Sequence, residues 1–121
     1  MKTANKVAAQ GDVLFRRVST IPSKAIEVPR AGPIVVAHSE TGHHHAIADR
    51  GVTMFEEPGS ALVCYLRMDI GLDADIGGVD VVHHRPWDTH ETIRLLGAPG
   101  DIWEVRRQRE HTPEGWRRVQ D

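Results

Sequence analysis

Histidine is the residue type whose number and spacing in this sequence point most directly to chemistry. The chain contains eight histidines, and seven of them fall between His38 and His90. Neutral imidazole is a good ligand for zinc, copper, nickel and iron. The concentration of imidazoles in this part of the chain therefore predicts a metal site or another polar site.

The first histidine cluster lies in residues 41–47. If this segment is a strand, its side chains alternate between two faces, so His43 and His45 share a face with Ile47 while His44 points to the other. Two imidazoles at this spacing can bind one metal ion together. The alternative interpretation is a polar hairpin edge whose histidines are solvated.

The second cluster contains His83, His84 and His90. Strand alternation places His83 with Val79 and Val81, which leaves two alternatives for it, a core histidine hydrogen-bonded to the backbone or a metal ligand, whereas His84 points to the opposite face. Zinc requires three or four nitrogen, oxygen or sulfur ligands. Neither cluster has the local spacing of a zinc finger or of a His-Glu-x-x-His helix, so a complete site requires the two clusters to meet.

Such a site would draw its metal ligands from both clusters. His84 would replace His90 if His90 points away from the site. Glu91 or Asp49 would act as general base or orient a ligand imidazole. Zinc is the expected metal because the ligands are mostly histidine, and iron, nickel and manganese are the other candidates. The predicted metal ligands are His43, His45, His90 and His84.

Short strands would have to position these residues. Glycine, proline and aspartate interrupt the sequence roughly every 8–15 residues, as in proteins built from many short strands. Residues 43–48 and 52–55 predict a hairpin around residues 49–51. The whole pattern predicts an all-β fold, either a small cupin-like barrel or a β-sandwich, with about eight short strands.

The length of 121 residues leaves room for one domain. Residues 1–10 are expected to form a flexible N-terminal segment, and residues 11–121 a single β-barrel domain. Since exposed edge strands pair readily, the fold is compatible with a homodimer.

Composition narrows the classes of partner. The net charge is −2, which offers no basic surface for nucleic acid. No apolar run reaches the roughly 18 residues of a membrane span, and no targeting segment is visible. The single cysteine, Cys64, fits a reducing compartment. We therefore expect a cytoplasmic protein whose partner is a small-molecule substrate.

Two segments resemble the motifs of the cupin family. Residues 43–49 resemble the first motif, a His-x-His pair followed by an acidic residue, with Asp49 in place of the usual glutamate. Residues 98–100 resemble the Pro-x-Gly turn of the second motif, but Trp103 stands where that motif carries a histidine ligand. The resemblance implies a barrel with a metal site whose further ligand comes from the second histidine cluster.

The chain is also similar to a family of small uncharacterised bacterial and phage proteins. Four segments carry this similarity: residues 10–14 (QGDVL), 41–47 (TGHHHAI), 108–110 (QRE) and 118–121 (RVQD). Those proteins have a His-Glu-Glu-His stretch before the Pro-Gly turn, and only His90 of this chain matches it. The resemblance implies that His43, His45 and His90 form one site, and it implies no particular reaction.

Three functions fit these residues. The first is a small metal-dependent enzyme, in which a histidine-bound divalent metal with an open position activates water or a small substrate. The second is a non-catalytic metal-binding or phage-derived accessory module with an enclosed metal. The third is a metal-free β domain whose histidines serve polar packing or respond to pH. The metal content of untagged protein separates the third function from the other two.

Overall fold

The computed structural model describes most of the chain. Residues 84, 89, 90, 109–112 and 115–118 are described by their backbone alone. The described residues are 2–37, 44–48, 50–60, 62–69, 77–84, 89–107, 109–112 and 115–118.

Within these residues the chain forms thirteen strands and no helix. None of the described segments is a helix of the length and apolar character needed to cross a membrane. In chain order the strands are β1 (Lys2–Ala4), β2 (Val7–Gln10), β3 (Val13–Val18), β4 (Ile26–Glu27), β5 (Ile34–Ala37), β6 (His45–Ile47), β7 (Val52–Glu56), β8 (Val63–Met68), β9 (Gly78–His84), β10 (Thr89–Leu96), β11 (Ile102–Arg107), β12 (Arg109–Thr112) and β13 (Gly115–Arg118).

Two open sheets form the body of the protein. One has five strands in the order β1-β10-β9-β6-β5, and the other has six in the order β2-β3-β11-β8-β7-β4. β12 and β13 pair separately with each other. The prediction of an all-β fold is confirmed, and the arrangement is that of a β-sandwich, since the described strands do not close into a barrel. The strands are shorter and more numerous than expected.

The core lies between the sheets and follows strand alternation. In β3, Val13 and Phe15 are buried while Arg16 is exposed. In β9, Val79 and Val81 are fully buried. Removal of apolar surface from water, at roughly 25 cal/mol per Å², provides the main stabilisation of such a core. The largest fully buried apolar side chains are Trp103, Phe15, Ile47, Leu66, Met68, Ile93 and Leu95.

The N-terminal residues join both sheets. β1 pairs in parallel with β10, with Lys2 opposite Ile93, and β2 pairs with β3 in the other sheet. Ala4 and Ala8 are buried in the core. The sequence predicts a flexible segment over residues 1–10, but residues 2–4 and 7–10 are strands. Their small inward side chains pack closely without forming the apolar run by which a strand is usually recognised.

The predicted hairpin around residues 49–51 is wrong. β6 pairs with β5 and β9 in the five-stranded sheet, whereas β7 pairs with β4 and β8 in the six-stranded sheet. The turn between β6 and β7 therefore carries the chain from one sheet to the other. Gly51 adopts a φ of 80° there, which a glycine accepts without steric cost.

Cys64 lies in β8 and faces the core. Its Sγ lies 3.7 Å from the carbonyl oxygen of Val36, to which it donates. Burial raises the pKa of the thiol from 9.0 to about 12, and the negative charge of Glu56 adds to this shift. The thiol is therefore protonated at neutral pH, as expected of an unreactive buried cysteine.

We expect the native Cys64 thiol to react with a disulfide reagent at about pH 8 at least ~100-fold more slowly than in urea, because the thiolate is the reactive species. The unfolded chain releases this proton near its ordinary pKa, and the folded chain does not. The free energy of unfolding should therefore fall as the pH rises from about 9 towards 12. Equal reaction rates for native and unfolded protein would contradict the burial of the thiol.

Candidate functional site

Five polar side chains lie together in the core and form what we call the buried polar cluster. None of them is more than 6% exposed. An uncompensated buried polar group costs about 1–3 kcal/mol, so their mutual contacts decide whether the core tolerates them. The buried polar cluster consists of Gln10, Asp12, His45, His83 and Arg107.

A tight turn between β2 and β3 brings Gln10 and Asp12 into the cluster. Gln10 is paired with Val13, which leaves Gly11 and Asp12 as the two central residues of the turn. Gly11 has a φ of 59°, as the first central position of a type II′ hairpin turn requires. The glycine thus allows the side chains on both sides of it to be buried.

Gln10 links the two sheets through its side-chain amide. Its Nε2 donates to the carbonyl oxygens of Val81 in β9 (2.9 Å) and Glu91 in β10 (3.0 Å). Its Oε1 lies 2.9 Å from Nδ1 of His45 in β6. Because two carbonyl acceptors define which end of the amide is Nε2, Oε1 must accept a hydrogen bond from His45 Nδ1. The proton of a neutral His45 ring is therefore on Nδ1, and Nε2 is the acceptor.

Asp12 lies between His45 and Arg107. Its Oδ1 is 3.6 Å from His45 Nε2, and its Oδ2 is 3.5 Å from Nη2 of Arg107. All three side chains are at most 5% exposed. The carboxylate thus faces an imidazole nitrogen on one side and balances a buried guanidinium on the other.

His83 packs against His45 with its ring face. The two residues are opposite each other in β9 and β6, and their ring centroids are 3.8 Å apart with an interplanar angle of 16°. A metal bound to an imidazole nitrogen lies near the plane of that ring, about 2.1 Å from the nitrogen. One ion cannot satisfy this condition for two nearly parallel rings, so in this arrangement His83 supports His45 and does not share a metal with it.

The predicted ligands and bases have different places in the structure. His45 is fully buried within the cluster. Glu91 has an exposed side chain, and its carbonyl oxygen accepts from Gln10. The remaining predicted residues are described partly or not at all. His84 and His90 are described by their backbone alone, and His43 and Asp49 lie outside the described residues.

The backbone register nevertheless relates the two histidine clusters. His83 is opposite His45 of β6 and also opposite His90 of β10. Three histidines of three neighbouring strands thus stand in one row across the sheet. Among the described side chains, no three histidine, cysteine, aspartate or glutamate residues are arranged to hold a metal ion.

A shallow depression of about 150 Å³ borders the cluster beside Gln10 and Gly11. Lys2 and Glu91 also line it. His45 and Asp12 are almost inaccessible, so solvent would have to approach them past residues such as Gln10 that line this depression.

Sequence reasoning assigned no role to Gln10, Asp12 or Arg107. The signal that was available is the Gln-Gly-Asp order immediately before the apolar run of β3, because a turn glycine flanked by two polar residues can turn both inward. Arg107 directly follows Arg106 in a charged segment, and the available signal is that strand alternation places it on the same face as Trp103 and Val105.

A family model described as "Domain of unknown function (DUF8820)" matches residues 9–108. The chain belongs to this family. The match begins just before Gln10 and includes every member of the buried polar cluster. Neither the curated proteins nor the solved structures contain a match to the chain.

Proposed function

We propose that the protein is a small metal-dependent enzyme that uses a histidine-bound divalent metal to activate water or a small substrate. Zinc is the expected metal. His45 is the central ligand in this proposal. The hydrogen bond from His45 Nδ1 to Gln10 Oε1 is the observation that carries the proposal, because it directs Nε2 toward Asp12.

This geometry matches the way proteins prepare a metal-ligating histidine. Such a histidine usually donates its other ring nitrogen to an oxygen acceptor, which fixes the tautomer and the ring orientation. In this chain the acceptor is an amide that two backbone carbonyls hold in place. Gln10 would thus position His45 without touching the metal.

The separation of His45 Nε2 and Asp12 Oδ1 suits a shared ion. Two ligand atoms that each lie about 2.1 Å from a tetrahedral zinc ion are about 3.4 Å apart. The observed separation is 3.6 Å. We therefore add Asp12 to the predicted ligand set.

The remaining ligands are proposed from His43 and His90, with His84 as the substitute. His43 precedes His45 by two residues, and the backbone of His90 stands in the same row as His45 and His83. Three or four ligands would then surround the ion.

A divalent metal held there would lower the pKa of water from its bulk value toward about 7. Glu91, whose exposed side chain lines the depression beside Gln10, is the proposed acceptor of the proton, and Asp49 is the alternative. The substrate would be a small molecule that enters through this depression. We also infer a cytoplasmic location, since reducing compartments preserve an unpaired thiol such as Cys64.

We expect untagged protein to bind one Zn²⁺ per chain in a calorimetric titration. His45→Ala should abolish stoichiometric binding, and Gln10→Leu should weaken it about 10–100-fold, as loss of an orienting partner does in other metal sites. The matched control is His44→Ala, which removes the neighbouring imidazole and should leave binding unchanged. Urea unfolding of each variant establishes that it is folded under the conditions of the titration.

Two results would overturn the metal site. One is a wild-type protein that binds no zinc, and the other is a His45→Ala variant that retains full binding. After either result, the buried polar cluster would be interpreted as a metal-free cluster that holds the two sheets together.

The near-complete burial of His45 and Asp12 favours a second candidate function, a non-catalytic module with an enclosed metal. Cobalt substitution separates the two functions, because the visible spectrum of Co²⁺ reports its coordination. An open position predicts that added azide changes the spectrum and that p-nitrophenyl acetate hydrolysis is lost in His45→Ala. A spectrum that azide leaves unchanged assigns the enclosed, non-catalytic site.

A further inference from the structure

A second feature, independent of the metal proposal, is a cleft of about 730 Å³. It lies between β5, at the edge of the five-stranded sheet, and the β4, β7 and β8 region of the six-stranded sheet. Binding sites for small organic molecules usually have volumes of about 300–1,000 Å³. The cleft is therefore large enough for a whole ligand rather than a few water molecules.

The walls of this cleft are mostly apolar. Val28, Val35, Val36, Leu62 and Val63 line it. An apolar ligand surface would gain from contact with these side chains by the same release of water that stabilises the core. Ile26, which also lines the cleft, is 61% exposed and would be covered further by a ligand.

Negative charge predominates at the cleft. Glu27, Glu56 and Glu57 line it, and Arg107 is the one basic residue among the described lining residues. Arg107 does not offset the three carboxylates, because its guanidinium is buried against Asp12. Outside the lining, Lys24 approaches Glu57 at 3.9 Å but is 72% exposed, and such surface pairs contribute little.

Two observations concern the position of these carboxylates and the reach of their charge. The Tyr65 hydroxyl donates to Glu57 Oε1 at 3.3 Å, which holds that carboxylate in place. Cys64 also lines the cleft, and its pKa is raised mainly by burial and further by the negative charge of Glu56. The Glu57 carboxylate is therefore held in place at the cleft, and the charge of Glu56 reaches the buried thiol.

We propose that this cleft binds a small organic cation with an apolar body, such as an alkyl or aryl ammonium compound. The valine and leucine walls take the apolar body, and Glu56 and Glu57 face the ammonium group. An anionic ligand with the same body would be repelled, because like charges brought together at a desolvated surface are unfavourable.

Three probes with one apolar body and different charge test this proposal. They are 4-phenylbutylamine, 4-phenylbutanol and 4-phenylbutyrate, titrated into the full chain at neutral pH with backbone amide shifts of Val36 and Val63 as the readout. We expect the amine to bind at least about tenfold more tightly than the alcohol, and the carboxylate to bind most weakly. The difference should shrink as salt is added, since exposed charges are screened.

The double variant Glu56→Gln and Glu57→Gln should remove the preference for the amine while binding of the alcohol is retained. Asp80→Asn serves as the matched control, since Asp80 is a partly exposed carboxylate that does not line the cleft. Equal affinity for amine and alcohol in the wild type overturns the assigned charge of the ligand. No shift of cleft amides with any of the three probes overturns the site itself, whether or not the double variant folds.

Discussion

Replacing Asp12 with asparagine should lower the free energy of unfolding by about 3–5 kcal/mol, the range found when one partner of a buried ion pair is removed. Asparagine keeps the size of the side chain but removes its charge. The Arg107 guanidinium, 3.5 Å from Oδ2 and with its side chain 5% exposed, would then stay buried without that carboxylate. Urea unfolding in the presence of a chelator measures this cost without any contribution from metal.

A second ion pair provides a demanding control. Asp80 and Arg94 approach more closely, at 2.7 Å, but their side chains are 28% and 24% exposed. Asp80→Asn should therefore cost about 1 kcal/mol or less, as is usual for solvated pairs. If Asp12→Asn and Asp80→Asn lower the free energy of unfolding by the same amount, burial does not govern the strength of these ion pairs.

A double substitution tests the reason for the expected loss. Asp12→Asn combined with Arg107→Met removes both charges and should recover a large part of the stability lost in Asp12→Asn, because no uncompensated charge remains in the core. A double variant as unstable as the sum of the two single variants would show that the charges are not coupled.

Trp103→Ala should destabilise the protein by about 3–5 kcal/mol, as is typical when a large buried aromatic side chain is truncated. Trp103 is fully buried in β11, which lies between β3 and β8. Its loss would leave a cavity at the centre of the six-stranded sheet, and neighbours fixed in a strand cannot collapse into it fully. The measurement is again urea unfolding.

The conservative change Trp103→Phe separates packing from hydrogen bonding. Trp103 Nε1 donates to the carbonyl oxygen of Leu96 at 3.1 Å, and Arg17 Nη1 donates to the same oxygen at 3.1 Å. Because this oxygen keeps one donor in the variant, Trp103→Phe should cost only about 1 kcal/mol. Val7→Ala is the control for an exposed position: Val7 is 59% exposed, and its truncation should change the free energy of unfolding by less than about 0.5 kcal/mol. A larger loss of unfolding free energy in Trp103→Phe than in Trp103→Ala would contradict this account.

Alternation in single strands made the fold class predictable. Val79, Val81 and His83 were expected on one face and are all fully buried. Pairing between strands was not predictable in the same way, because a turn such as that around Gly51 can return the chain to its own sheet or cross to the other. Two short apolar strands flank the turn whether it closes a hairpin within one sheet or crosses between the sheets, so the sequence does not distinguish the two arrangements.

The sequence allowed the candidate site to be predicted only at residues whose type has a characteristic chemistry, such as histidine. His45 was recognised from its cluster, whereas Asp12 and Gln10 take part because a glycine turn directs them inward toward strands far along the chain. Glu91 was expected to contribute its carboxylate. A register shift between His90 and Ile93 breaks the alternation at this point, and Glu91 joins the buried polar cluster through its backbone carbonyl, a contact that side-chain chemistry does not predict. Its carboxylate stays the proposed proton acceptor.

The parallel pairing of β1 with β10 has a consequence for how the protein forms. Lys2 must find Ile93, so more than 90 of the 121 residues have to be synthesised before the first strand can dock. Closing so large a loop early costs entropy that no local contact repays, and folds rich in such distant pairings are slow to form. During synthesis, the edge of β10 that β1 later covers would be exposed until the emerging strand and the start of the chain meet, and this interval is when strand-to-strand aggregation is most favourable.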